Sequence, residues 1–152
     1  MTNMILAVIG IALAAAATLI TINYGGEYFM DAAYDGRAMQ VETALDNVLA
    51  SYRLHEMRTQ SAPTDLAALL PGSGSGLLKS LPVLPDGAQV APSWSSMTIG
   101  GRTRTVTTIT GLSDDVCLAL NKMAKRDEIP AGPIGAIGCF RAGTDPIAFR
   151  TL

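Results

Sequence analysis

The sequence predicts an α+β protein: one long N-terminal α-helix with a hydrophobic protruding half, followed by a head domain built on a small antiparallel β-sheet. Three observations carry this. Residues 1–23 contain no Asp, Glu, Lys or Arg, and the first charged side chain is Glu27. Residues 27–58 contain no proline and repeat apolar side chains at helical spacing. Gly100-Gly101 lies between segments of strand character, the second being the β-branched run RTRTVTTIT, which is the pattern of a two-residue hairpin. A length of 152 residues suits one modest domain plus one extra element.

The first element is the apolar run Met4–Ile22, MILAVIGIALAAAATLITI, polar only at Thr18 and Thr21. As a helix it is roughly 28 Å long, about the thickness of a bilayer's hydrocarbon. Three origins fit it: a secretory signal, a single-pass anchor, or a hydrophobic helix left after removal of a basic leader. A signal begins with basic residues and has a shorter apolar core. An anchor is flanked by Lys or Arg, and the nearest here is Arg37. The third origin accounts best for the missing charge.

Gly25-Gly26 then interrupts the pattern, each glycine costing about 1 kcal/mol of helix stability, which makes the pair the expected weak point. Beyond it, Val41, Leu45, Val48 and Tyr52, widened by Ala38, Ala44 and Leu49, form an apolar stripe. Opposite lie Arg37, Gln40, Glu42, Asp46, Asn47, Arg53 and Glu56. The stripe is expected to pack on the head. Residues 1–24, 25–58 and 59–152 thus form a hydrophobic helix, an amphipathic helix and a globular head.

Within the head, Ser61–Gly87 is a Pro- and Gly-rich connection. A short helix is expected at Thr64–Leu70, with Thr64 as its N-cap. Gln89–Trp94, Ser96–Ile99 and Arg102–Thr110 read as strands. Ser113 caps a helix whose first turn holds Asp114-Asp115 and whose end carries Lys122, Lys125 and Arg126. Ile129–Gly138 reads as loop and Ile147–Thr151 as a last strand. The two cysteines, Cys117 and Cys139, fit either one disulfide in an exported protein or two buried thiols. A bridge would close about twenty residues and contribute roughly 3 kcal/mol.

No chemistry stands out. The single histidine, His55, reads as a polar helix residue, and one histidine with two distant cysteines is no zinc set. Asp114-Asp115 fit a helix start better than a calcium site. Gly72-Ser73-Gly74-Ser75-Gly76 lacks the Gly-Lys-Ser/Thr ending of a phosphate loop. Arg102 and Arg104, alternating near Trp94, read as a solvated strand face before a nucleic-acid patch. A net charge of −2 sets up no field for nucleic acid. No nucleophile–base pair is visible, so neither an enzyme nor a cofactor is expected.

In order of elements the chain resembles type IV pilins: a charge-free helix running into an amphipathic one, a loop, an antiparallel sheet and a C-terminal cysteine pair. The start at Met1-Thr2 and the segment Gly111-Leu112-Ser113-Asp114-Asp115-Val116-Cys117 are similar to the type IVb branch. That resemblance implies the type IV pilin fold and a disulfide between Cys117 and Cys139. It implies cleavage by a prepilin peptidase, methylation of Met1, residence in the inner membrane, and polymerisation by the assembly machinery into an extracellular helical filament, a homo-oligomer. Met1, Ile5, Leu6, Val8, Ile9, Ile11 and Leu13 would line the helix bundle, and Gly25 and Gly26 would be where the helix melts locally. Such filaments serve adhesion to host or recipient cells, conjugation, motility or DNA uptake. One departure is Ile5, where the family usually carries a glutamate; it favours a minor, conjugative or otherwise specialised subunit. The rival readings are a minor pilin or type II secretion pseudopilin, and a single-pass anchored periplasmic protein that never polymerises.

Overall fold

The computed structural model describes residues 2–72 and 74–152; within the first helix, the side chains of residues 2–10, 12, 15–17, 19–24 and 27 fall outside the described ones. Helix α1 spans Thr2–Thr59. After two 3-10 turns at Ala67–Leu69 and Pro85–Gly87 come β1 (Gln89–Val90), β2 (Ser95–Ile99), β3 (Arg102–Thr110), α2 (Asp114–Met123), β4 (Ile137–Ala142) and β5 (Asp145–Thr151). The chain is therefore α+β, with a long N-terminal helix and a small antiparallel sheet. It divides into two compact units, Met1–Tyr34 and Asp35–Leu152.

The first unit is helix alone. Thr18 resolves its own polarity there, since its hydroxyl donates to the Ala14 carbonyl one turn back, at 2.7 Å. The helix passes through Gly25 and Gly26 without a break; beyond the helix's own nearby backbone, nothing lies within 4 Å of where a Cβ would stand on either.

In the second unit the amphipathic stripe is the core. Ala38, Val41, Ala44, Leu45, Val48 and Leu49 are all buried. Val48 continues into a cluster with Leu66, Leu69 and Leu78, against which Tyr52, Val90 and Trp94 pack. The Tyr52 and Trp94 rings meet edge to face at 5.6 Å, and Trp94 Nε1 donates to the Pro63 carbonyl at 2.9 Å. Burial first, and the Glu56 carboxylate second, push the Tyr52 hydroxyl above its usual pKa.

The sheet order is β1-β3-β5-β4, with β2 also paired to β3. Register fixes its faces, because residues opposite each other share one. Ile109, Ala148 and Cys139 fall on one face, through Ile109↔Ala148 and Cys139↔Ala148. Arg150 lies on that face too and pairs with Asp46 of α1 at 2.9 Å, so it is the face turned to the helices. The opposite face holds a second cluster, Ile99, Val106, Phe140 and Phe149, whose two phenylalanine rings stand edge to face at 5.7 Å.

Local chemistry explains most boundaries. Ile99 pairs with Arg102, and the intervening Gly100 and Gly101 have φ of 59° and 75°, as a tight primed turn requires. Ser113 caps α2 by accepting from the Val116 amide. Three expectations need correction. The segment after Thr64 forms only the Ala67–Leu69 turn, whose N-cap residue is Leu66 rather than Thr64; Asp65 Oδ1 accepts from the Ala68 amide at 2.9 Å. The first strand stops at Val90: Ala91 still donates to the Thr108 carbonyl at 2.8 Å, and the Pro92 carbonyl then accepts from the Leu66 amide at 3.0 Å. Finally, Ile137–Ala142, expected to begin in loop, is a strand that pairs along its whole length with β5.

Candidate functional site

Of the side chains expected to line a helix bundle, Ile11 and Leu13 are described, and both are open: 71% and 66% exposed. Met1 lies outside the described residues, as do the side chains of Ile5, Leu6, Val8 and Ile9. Further along the same unit Tyr28, Phe29 and Met30 are also exposed, Phe29 by 81%. Among the described residues no helix is long and apolar enough to cross a membrane; in the run Met4–Ile22, on which a span was expected, most side chains fall outside the described ones.

Cys117 and Cys139 are joined by a disulfide, with Cα atoms 5.5 Å apart and a sequence separation of 22. It ties α2 to β4. Sequence reasoning missed the partner of this bond. Asn121, fully buried one turn beyond Cys117, brackets Cys139 from both sides: its Oδ1 accepts from the Cys139 amide at 2.8 Å and its Nδ2 donates to the Cys139 carbonyl at 2.9 Å. Nδ2 also donates to the Glu128 carbonyl at 3.0 Å. One amide side chain therefore replaces the ladder partners that a strand would have supplied. The available signal was an Asn on the apolar stripe Val116, Cys117, Leu120 of a short helix.

The segment between those tethers, 129–136, is held at three further points. Arg141 N donates to the Pro130 carbonyl and Thr151 N to the Ala136 carbonyl, each at 2.9 Å. The Arg126 guanidinium packs over Gly135 and Gly138 and donates to the Ile137 carbonyl at 3.3 Å. Gly135 has φ of 78°, a conformation glycine adopts freely.

Held in this way, Pro133–Ala136 forms one wall of a groove of about 660 Å³. The β2–β3 hairpin supplies the other through Ile99, Arg102 and Arg104, with Thr151 at the base. Register puts Arg102 opposite Ile99 and Arg104 opposite Met97, so both guanidinium groups share one face. Both arginines are exposed. The ion pairs among described residues join Arg37 to Asp86, Arg141 to Asp114 and Arg150 to Asp46; neither groove arginine takes part.

His55 Nδ1 is buried without a hydrogen-bond partner among the described residues. Among those residues no three His, Cys, Asp or Glu side chains gather as metal ligands would. No protein-family model, curated protein or solved structure matches this chain.

Proposed function

We propose that the chain is a pilin-like structural subunit, held in the inner membrane before assembly and polymerised through its N-terminal helix into an extracellular filament. The observation that carries this reading is the open apolar surface of the first unit. Ile11, Leu13, Tyr28, Phe29 and Met30 are exposed on a unit that consists of helix alone. An apolar helix with no layer of its own to cover it gains about 25 cal/mol for each Å² it buries against lipid or neighbouring helices. The α+β arrangement, with residues 38–49 of the same helix in the core of a disulfide-tied head, is compatible with the type IV pilin fold. The role is one of assembly, without catalysis.

The test is substitution within the apolar run. Leu6→Asp or Ile9→Asp places a carboxylate where a bundle would exclude water, at a cost of several kcal/mol per subunit. Filaments recovered from the cell surface by shearing should disappear, while the variant keeps the wild-type thermal transition of its head. Filaments in normal quantity from either variant would refute the assembly role of this helix.

A further inference from the structure

We propose that the arginine groove is an assembly contact that receives the 28–35 stretch of α1 from a second copy of this chain; the inference rests on the filament reading and assigns its head-to-helix interface. Two sets of like charges stand without an ion pair among the described residues. Arg102 and Arg104 lie on one face of β3, about 7 Å apart at two residues of strand rise. Asp31 and Asp35 lie one turn apart on α1, both exposed, roughly 6 Å apart along the helix axis. Like charges at that helical spacing repel, as do neighbours on a strand face. Each pair therefore carries an unfavourable term that the other would remove, and their spacings match.

The apolar surroundings match as well. Tyr28 is three residues before Asp31, on the same helical stripe, and 76% exposed. In the groove, Ile134 is 52% exposed beside Pro133 and Ile99. Two carboxylates laid on the two guanidinium groups would bring Tyr28 toward that apolar wall. Exposed ion pairs alone add little affinity and mostly fix register, so the aromatic contact supplies the attraction and the charges the position. The two patches differ, so the contact is head-to-tail. Repeated from copy to copy without closing, it builds a filament.

The experiment is a charge swap in the full-length chain in mild detergent, with self-association followed by analytical ultracentrifugation at low and high salt. Arg102→Glu with Arg104→Glu should weaken association at least tenfold at low salt, as should Asp31→Arg with Asp35→Arg. All four changes in one chain should restore it, and raising salt should narrow the gap between the wild type and the double variants. Unchanged thermal transitions confirm that each variant is folded. Association untouched by either double reversal, or not restored by the fourfold swap, overturns the groove contact and leaves the filament reading standing. Loss on reversing the arginines but not the aspartates gives the groove to a different anionic partner and also overturns it. A wild-type chain that stays monomeric at every salt concentration overturns both.

Discussion

Removing the Asn121 side chain should cost more stability than emptying a comparable apolar site, because it strands backbone groups as well as leaving a void. In Asn121→Ala the Cys139 amide and carbonyl lose partners at 2.8 and 2.9 Å in a fully buried setting. Each buried group left unpaired costs about 1–3 kcal/mol, so Cys139 alone accounts for roughly 2–6 kcal/mol by the same reckoning. The Glu128 carbonyl, bonded at 3.0 Å from an exposed residue, can turn to water and adds little. Domains of this size are typically stable by about 5–15 kcal/mol, so the variant should lose a large share of the total. Denaturant unfolding of the full-length chain in detergent, followed by Trp94 fluorescence, measures it. Asn121→Leu is the informative companion: it leaves no void but strands the same backbone groups, so it should still lose at least about 2 kcal/mol. If Asn121→Leu lies within about 1 kcal/mol of wild type at equal m-value, the Cys139 groups find other partners and Asn121 is not what fixes β4.

Two further outcomes test the same unit. Replacing Cys117 and Cys139 by Ser together opens a loop whose ends are 22 positions apart and should lower stability by about 3 kcal/mol on the chain-entropy model; a thermal midpoint unmoved by the double substitution, or by dithiothreitol, would contradict it. Thr107 lies wholly buried, and its hydroxyl finds no partner among the described residues. Thr107→Val, nearly the same shape, should therefore raise stability by about 1 kcal/mol, and a loss in the same unfolding assay would show that the hydroxyl is satisfied after all.

What the sequence made legible was whatever local chemistry decides. The Gly100-Gly101 turn needs two positive φ values, and adjacent glycines announce them. The Ser113 cap with Asp114 and Asp115 behind it states where α2 begins. The stripe from Ala38 to Leu49 is periodic, so its burial could be read in advance. β4 could not be read in this way. Its first half, Ile137-Gly138-Cys139, follows a run of Gly and Pro and holds a glycine, which disfavours a strand locally. It becomes one because β5 lies alongside and Asn121 supplies the remaining backbone partners, eighteen residues away in sequence. Such pairings arise from tertiary structure and leave no spacing to find.

The groove follows the same division. Arg102 and Arg104 read as a solvated strand face, and both are indeed exposed. The missing fact was the second wall. Nothing in Pro133–Ala136 marks it as a partner of a hairpin some thirty residues earlier. It is placed there by the Thr151 amide on Ala136, by Arg126 over Gly135, and by Asn121 and the disulfide behind it. Asn121 and the disulfide hold the segment from the helix-facing side, away from the groove arginines. The stability of the wall and the charge of the groove are therefore separable: Asn121→Leu should loosen the 129–136 segment and weaken self-association together with stability, whereas the arginine reversals should weaken association alone. Hydrogen exchange at the Arg141 and Thr151 amides, which donate to the Pro130 and Ala136 carbonyls of the segment, separates the two, rising in the first variant and staying at the wild-type rate in the second.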